Sequence, residues 1–288
     1  MWCTAPAPTE TASNLIFERP VPNKRGSSPN SIPTVCQLSA LLSSPGDELQ
    51  SGQSHSNIAP AMRPARLNFA ALLEKLQAFY GPQEPSFPVD PYEFLVWWQC
   101  GYPQSDAACQ KGWDRLTSEV GIDPDKLLRA SADKLASALK PGGMVPELRA
   151  QHLKEIARSV QDEFGGDLRS ALTGPLAKVR KTLKRFPGIA DPGADRILLF
   201  AGIAAVAAVP SNCVHVPARI LRGGEGRNYS ADYREAQRAI AEEIPEKLDA
   251  RARVYLLLKR HGQDICKRSN PKCDLCPISA GCAFFAAR

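Results

Sequence analysis

Apolar residues recur at the three- and four-residue spacing of a helix along most of the chain after position 66. Leu67, Leu72 and Leu76 belong to the first such face, which ends at the helix breaker Gly81. A second helix is predicted from Pro91, because proline fits the first turn of a helix and an apolar stretch rich in aromatic residues follows it.

The same spacing predicts eight further helices, separated by short loops that contain glycine or proline. They span residues 106–119, 124–138, 146–164, 167–172, 175–185, 193–208, 230–243 and 247–260. No convincing alternation of apolar and polar positions, as a half-buried strand needs, is present. We therefore expect an all-α protein of nine or ten helices.

The longest apolar run extends from Ile197 to Val209 and has 13 residues. A bilayer-spanning helix needs roughly 18 to 20 apolar residues, so the run predicts a buried helix and no membrane span. Prolines and acidic residues interrupt the first thirty residues, which excludes the apolar core of a secretory signal. We expect a cytoplasmic protein.

Residues 1–66 have a different composition, with nine prolines, ten serines and few large apolar residues. Such a segment buries too little apolar surface to offset the entropy of ordering it, so a disordered leader is predicted. A start of translation at Met62 is an alternative explanation of this segment.

The whole chain has 288 residues, 43% of them hydrophobic, which excludes a fully disordered or fibrous protein. A net charge of +6 is too small to indicate a nucleic-acid partner by itself. The nine cysteines matter more, because a reducing compartment disfavours disulfides and leaves metal or cluster binding to consider.

Four of the cysteines are concentrated near the C-terminus in a C-x6-C-x2-C-x5-C series. Cys266, Cys273, Cys276 and Cys282 can surround one centre, because the close central pair forms a turn-sized chelate that the outer two complete. The spacing alone leaves both zinc and an iron–sulfur cluster open. The other five have no partner at chelating distance and are predicted to be bystanders: Cys3, Cys36, Cys100, Cys109 and Cys213.

A proline-glycine turn lies in the middle of the chain, between a basic helix and an apolar one. Its residues are Phe186, Pro187, Gly188, Ile189 and Ala190. A tight turn at a helix N-terminus leaves backbone N–H groups free, and such groups bind phosphate oxygens without reading sequence. An ordinary connector between two helices is the alternative.

This hairpin and the cysteine series, in this order and about 75 residues apart, resemble the endonuclease III family of helix-hairpin-helix DNA glycosylases. His261-Gly262 before the first cysteine and residues 90–95 also look like segments of that family. The resemblance covers residues 67–288. It implies an all-α fold of two lobes and a 4Fe–4S cluster on the four cysteines, with zinc as the minor alternative.

The resemblance also implies where the parts lie. A six-helix lobe would span 89–222, and a cluster lobe would combine 67–88 with 223–288, including the cluster loop 266–282. Double-stranded DNA, damaged or abasic, would bind a monomer in the cleft between them, in a cytoplasmic protein associated with the nucleoid. The hairpin and the loop cations Lys267, Arg268 and Lys272 would contact the DNA backbone.

The sequence departs from the family at the residues that carry its chemistry. Pro192 stands where the family has a Schiff-base lysine, and Pro210 stands where it has an aspartate. Gln104 lies slightly out of register with the family's cleft glutamine. The resemblance therefore implies a base-excision-repair glycosylase that cleaves N-glycosidic bonds but lacks the usual lyase residues, and no catalytic residue is assigned.

Two alternatives stay open: a catalytically inactive protein that binds lesions or unusual DNA structures, and a zinc-stabilised helical protein without a DNA role. Several side chains could stand in for the missing groups. Asp191 and Asp195 lie near the start of the helix after the hairpin, with helix capping as the alternative. His215 could act as a base or be structural, and Tyr102 could stack on an extruded base or belong to the core.

Overall fold

The computed structural model describes residues 68–288, and these fold into α-helices joined by short turns. The helices are α1 Phe69–Tyr80, α2 Pro91–Gln99, α3 Asp106–Glu119, α4 Pro124–Arg129, α5 Ala132–Leu139, α6 Pro146–Phe164, α7 Leu168–Ala171, α8 Leu176–Leu183, α9 Asp191–Phe200, α10 His215–Arg222, α11 Tyr229–Glu243, α12 Leu248–Asp264 and α13 Ala283–Ala286. Residues 68–288 contain no strand, so the all-α prediction is confirmed. The predicted leader 1–66, Met62, Leu67, Cys3 and Cys36 lie outside the described residues.

Polar side chains just before the helices fix where several of them begin. Asn68, Asp90 and Ser105 each accept a hydrogen bond from a backbone N–H of the first turn of α1, α2 and α3. Ser131 caps α5 in the same way, by accepting from the Lys134 amide. The single helix predicted over 124–138 is therefore wrong. Helix α4 ends at Arg129, and the Ser131 cap begins α5.

The helix predicted over 193–208 is also wrong in its second half. Helix α9 ends at Phe200, and Gly202 follows with a φ of 72°, a left-handed conformation that glycine adopts without steric cost. The remainder of the apolar run is irregular, but Val206, Ala208 and Val209 are buried in it. The run is apolar because it is buried, not because it is one helix.

Two helices of the structure, α10 and α13, were not predicted from the sequence. Helix α10 contains Pro217. Pro217 lies in the first turn of α10, where a missing N–H removes no intrahelical hydrogen bond. Helix α13 has only four residues, too few for a periodic pattern.

The buried side chains form three hydrophobic clusters. One cluster packs α2 against α9 and α12, for example through Trp97, Ile197 and Tyr255. Another packs α2 on α3, α5 and α6, and includes Val96 and Leu153. These contacts place α3, α9 and α12 next to one another, which matters for the site described below.

The remaining cluster joins the first described helix to the C-terminal part of the chain. Leu76 of α1 packs with Val216 of α10, Ile240 of α11 and Leu258 of α12, and Ile278 of the cysteine-rich loop belongs to the same cluster. The loop is therefore attached to a packed helical base. The division into lobes at residues 89–222 stays a prediction.

Among the helices of the described range, none is long and apolar enough to cross a bilayer.

Candidate functional site

The four C-terminal cysteines line one small cavity between α10, α12 and α13. Cys266 follows α12 and is held by its backbone N–H, which donates to the His261 carbonyl at 2.8 Å. Apolar side chains form most of the remaining wall: Ile220, Ile265, Pro271, Ile278, Phe284 and Phe285. The structure thus brings all four predicted ligands together around one small, mostly apolar cavity.

Hydrogen-bond donors from outside the loop reach two of the sulfur atoms. Nη1 of Arg219 lies 3.6 Å from Cys266 Sγ, and Nε2 of His261 lies 3.6 Å from Cys276 Sγ. Burial raises the pKa of the Cys276 thiol to about 11 and also raises that of Cys266. Donors of this kind stabilise thiolates and tune a centre that they bind.

All four cysteines line the same cavity. In the described part of the chain, no group of three or more His, Cys, Asp or Glu side chains is arranged to hold a single metal ion. An all-sulfur donor set around a common space fits a polynuclear group, whose iron atoms each take one thiolate. Four cysteines are also a donor set of structural zinc sites.

His261 connects the cysteine cavity to the first described helix. Its Nδ1 shares a 3.0 Å hydrogen bond with the Tyr80 hydroxyl, and burial lowers the pKa of the imidazole to about 4. A neutral imidazole with Nδ1 as acceptor leaves Nε2–H as a donor toward Cys276. The neighbouring Gly262 permits close packing, because a Cβ there would lie 2.6 Å from Cys213 Sγ.

Arg219 shapes the loop that follows Cys266. Its Nη1 donates to the Lys267 carbonyl at 2.8 Å and its Nη2 donates to the Arg268 carbonyl at 2.7 Å. The guanidinium also lies over the Phe284 ring, 4.7 Å from its centroid. Sequence reasoning missed this residue because α10 was not predicted.

The three loop cations are exposed, as a DNA contact requires. Arg268 pairs with Glu225 at 2.8 Å, in a surface ion pair that solvent weakens. Lys267 and Arg268 border a cavity of about 260 Å³, here called the cleft cavity, whereas Lys272 does not.

The cleft cavity collects residues from distant parts of the sequence. Gln104 and Pro210 line it together with Lys267 and Arg268. Gln104, which lies slightly out of register with the family's cleft glutamine, therefore lines the same cavity as the loop cations. Pro192 lies elsewhere, in a neighbouring hollow that Asp195, Tyr229 and Tyr233 also line.

The hairpin has the geometry of a tight turn. Gly188 has a φ of 75°, and the side-chain amide of Gln99 donates to the Pro187 carbonyl at 2.8 Å. Phe186 and Ile189 are 5% and 6% exposed, so their side chains are part of the core and only their backbone can face a ligand. Within residues 68–288, the N–H groups of Gly188 and Ala190 have no protein acceptor.

Two acidic residues considered as stand-ins have structural partners. Oδ1 of Asp191 lies 2.6 Å from Nζ of Lys184 in an exposed ion pair. Asp195 is 1% exposed and accepts hydrogen bonds from Arg180, Tyr233 and Gln237 at 2.6 to 2.9 Å. Neither carboxylate caps α9, which has no side-chain cap, so the capping alternative is wrong.

His215 and Tyr102 also line the cleft cavity. The Nε2–H of His215 donates to the Cys266 carbonyl at 2.7 Å, while Nδ1 is buried without a partner, and burial lowers the pKa of the imidazole. Tyr102 stacks on Trp98, with ring centroids 3.5 Å apart, and its hydroxyl shares a 2.8 Å hydrogen bond with Ser211. One face of the Tyr102 ring is therefore already covered.

Three charged residues that line the cleft cavity were not found from the sequence, namely the buried Arg196 and Lys259 and the partly buried Asp106. Lys259 of α12 donates to the carboxylate of Asp106, and a guanidinium nitrogen of Arg196 lies 4.0 Å from the same carboxylate. Arg196 also stacks over the Phe87 ring at 3.7 Å. Burial, followed by the charge of Arg196, lowers the pKa of Lys259 to about 8. A lysine among the other charged residues of α12 gives no sequence signal of this kind.

The other cysteines behave as predicted where they are described. Cys100, Cys109 and Cys213 are buried. Burial raises the pKa of the Cys109 thiol to about 11 and that of Cys213 to about 12. They are small core residues without the thiolate character that ligation or reactivity needs.

No protein-family model and no curated protein matches the sequence. Solved structures do match the fold. A thermostable thymine-DNA glycosylase aligns with a TM-score of 0.60 and 22% identity over 76% of this chain and 97% of its own. Endonuclease III, trapped as a covalent intermediate with DNA, aligns with a TM-score of 0.62 and 18% identity over 76% and 96%.

A third match is the H. pylori 3-methyladenine DNA glycosylase MagIII bound to 1,N6-ethenoadenine. It aligns with a TM-score of 0.53 and 16% identity over 68% of this chain and 97% of its own. Identities this low establish the architecture and leave the chemistry to the residues of the site. The chain therefore has the two-lobed helix-hairpin-helix fold of the endonuclease III type.

Proposed function

We propose that this chain is a base-excision-repair protein that binds damaged or abasic double-stranded DNA and cleaves N-glycosidic bonds. The observation that carries the proposal is the cleft cavity, where Gln104, Ser211 and Asn212 meet the cations Lys267 and Arg268. Amide and hydroxyl groups can read the edge of an extruded base, and the cations can hold the flanking phosphates. The fold, shared with three DNA glycosylases, supports this use of the cavity.

The DNA contacts follow from exposure and charge. Lys267, Arg268 and Lys272 would neutralise backbone phosphates, and the free N–H groups of Gly188 and Ala190 would bind another phosphate. Phe186 and Ile189 would support the hairpin from beneath, since both are buried. Neither set of contacts reads base sequence, so the target lesion depends on the cavity.

The four cysteines would hold a 4Fe–4S cluster, with zinc as the alternative. Their common cavity and the donors from Arg219 and His261 support a thiolate-ligated polynuclear group. When bound, such a cluster would cross-link the loop that carries Lys267 and Arg268. In this protein the chain's own residues perform the contacts with DNA, and the cluster fixes their position.

Base excision needs negative charge near the sugar as the glycosidic bond breaks, because the transition state resembles an oxocarbenium ion. Pro210 cannot provide it. Among the described residues that line the cleft cavity, Asp106 is the one acidic residue. We infer that Asp106 supplies this charge when Lys259 has lost its proton, and that Lys259 and Arg196 fix the position of the carboxylate.

A second function is favoured by the two prolines. Pro192 and Pro210 carry no group that could attack the sugar or stabilise its charge, so a protein that binds lesions without cleaving them agrees with the same DNA surface. A panel of duplexes separates the two. The full chain is incubated with duplexes that contain uracil, a thymine mismatch, an ethenoadenine, a thymine glycol or an abasic site.

Release of a free base, followed by mass spectrometry, would support the glycosylase. Preferential binding of one lesion without base release would support the binding protein instead. Equal and weak binding of all duplexes, including undamaged DNA, would contradict both proposals. Asp106→Asn serves as the matched variant, and it should lose base release while it keeps binding.

A further inference from the structure

The ammonium group of Lys259 is a buried basic group inside the cleft cavity, at the place where DNA chemistry is proposed. Lys259 lies on α12, one helical turn before the segment that leads to Cys266. Its residue exposure is 9%, and it lines the same cavity as Gln104, Lys267 and Arg268. The position is thus open to a ligand that enters the cleft, although the side chain is mostly shielded from bulk water.

The groups around Lys259 belong to four segments. Asp106 of α3 accepts its hydrogen bond, Arg196 of α9 lies beside the same carboxylate, and the Phe87 ring centroid is 5.0 Å from Nζ. The Cys213 thiol also points to this region, where it donates to the backbone carbonyl of Lys259 at 3.8 Å. Two cations therefore share one carboxylate.

This sharing leaves the site with surplus positive charge and unused donors. Nε and Nη2 of Arg196 are buried without a hydrogen-bond partner. Arg196 is always protonated, so the neighbour that can relieve the repulsion is Lys259, by losing its proton. Burial favours the same change, because a neutral amine is easier to desolvate than an ammonium.

A desolvated lysine with a cationic neighbour is a known form of activated amine nucleophile. Burial and the neighbouring Arg196 lower the pKa of Lys259 to about 8, in agreement with this geometry. Such an amine would be partly neutral at physiological pH, whereas an exposed lysine is almost fully protonated.

We propose that Lys259 is the amine that attacks the sugar of an abasic site in this protein, in place of a lysine at position 192. The inference rests on the proposed function, because it requires the abasic sugar to enter the cleft cavity. Lys267 and Arg268 line the mouth of that cavity and would hold the phosphates on either side of the sugar. The amine comes from α12 and not from the hairpin.

The reaction is an imine formation. The lone pair of Nζ adds to the C1′ aldehyde carbon of the ring-opened abasic sugar, and one N–H proton moves through Asp106 to the C1′ oxygen. The second N–H proton is then transferred to the same oxygen, which leaves as water while the nitrogen lone pair forms the C1′=Nζ double bond. Water can later reverse the reaction, or the C2′–H electron pair can expel the 3′-phosphate after Asp106 removes the C2′ proton.

Borohydride trapping on an abasic duplex tests the proposal, because hydride from borohydride reduces the imine to a stable secondary amine. The full chain is incubated at pH 8 with a labelled duplex, and the adduct is digested and mapped by mass spectrometry. We expect the modified lysine to be Lys259. Lys259→Arg keeps the cation next to Asp106 without a nucleophile and should reduce the adduct at least tenfold.

Lys134→Arg is the matched control, since Lys134 is exposed on α5 and should leave trapping unchanged. Circular dichroism and binding of the abasic duplex show whether Lys259→Arg is folded. The adduct is mapped on the wild-type protein, so the proposal can still be tested if Lys259→Arg does not fold.

An adduct that maps to Lys184 or Lys267 would overturn the inference, and so would a wild-type protein that binds the duplex without forming an adduct. In both cases DNA binding and base release on the lesion panel would leave the proposed function intact. A protein that neither binds nor processes any duplex would overturn both.

Discussion

The guanidinium of Arg219 donates to the backbone carbonyl of Lys267 at 2.8 Å, so a residue of α10 fixes the start of the loop between the first two cysteines. The same group donates to the next carbonyl and approaches the Cys266 sulfur. The position of the proposed phosphate contacts thus depends on a residue of α10 that lies 47 positions before Cys266 in the chain.

Replacing Arg219 by Ala should release this loop. Hydrogen bonds to charged groups contribute about 1.5–3 kcal/mol each when a partner is removed, so we expect a loss of about 2 kcal/mol in the free energy of unfolding. Denaturant titration measures it. Arg238→Ala, on the exposed face of α11, is the control and should change stability by less than about 0.5 kcal/mol. Equal effects of the two changes would contradict the role of Arg219.

The cysteine cavity predicts which thiols matter for the cofactor. Cys273→Ser should abolish the absorbance band at roughly 400 nm that thiolate-ligated 4Fe–4S clusters show, and lower the iron content. Cys109→Ala should keep both, because Cys109 is buried away from the cavity and only its core packing changes. A colourless wild-type protein that contains zinc would reject the cluster and support the alternative metal.

The three cations of the cluster loop should set the salt dependence of DNA binding. Replacing Lys267, Arg268 and Lys272 by Ala should weaken binding to every sequence and reduce the slope of log K against log salt by up to about three units. The control removes equal charge from Lys126, Arg129 and Lys134, which are exposed on α4 and α5. If both triple variants changed the slope equally, the loop would have no special role.

The buried Asp195 should contribute to stability and not to catalysis. It joins α8, α9 and α11 through Arg180, Tyr233 and Gln237, so Asp195→Ala leaves a cation and two polar groups without their partner. Breaking such a buried pair costs about 3 kcal/mol or more. Asp191→Ala removes an exposed pair with Lys184 and should cost about 1 kcal/mol or less. Thermal unfolding compares the two, and a larger loss for Asp191→Ala would contradict this assignment.

The sequence predicted most helices because their apolar spacing is regular. The boundaries of α3 and α6 were predicted at the observed residues, where Ser105 precedes one helix and Pro146 begins the other. Prediction failed where burial came without periodicity, as in the irregular segment after Phe200, and at α10, whose first turn contains Pro217.

The spacing of the four cysteines along the chain predicted that they lie together, whereas the loop cations were singled out by the family resemblance. Sequence reasoning missed Asp106, Arg196 and Lys259, which lie far apart in sequence and meet only when α3, α9 and α12 pack together. Each is an unremarkable charged residue in its own segment. They are candidates for a catalytic role because they contact one another in the folded protein, and their residue types alone would not single them out.

The pH dependence of imine trapping gives the sharpest test of these surroundings. Lys259 has a pKa lowered to about 8, so its neutral fraction rises through that pH, from about one tenth at pH 7 to about nine tenths at pH 9. The initial trapping rate with cyanoborohydride should therefore rise about ninefold and then level off. With an ordinary exposed lysine, whose pKa is about 10.4, the trapping rate would continue to rise roughly tenfold per pH unit through pH 9.

The neighbouring Cys213 and His215 do not titrate in this window, because burial raises the pKa of Cys213 to about 12 and lowers that of His215 below its ordinary value. A rate that shows no plateau up to pH 10 would show that the trapped amine is not the buried one.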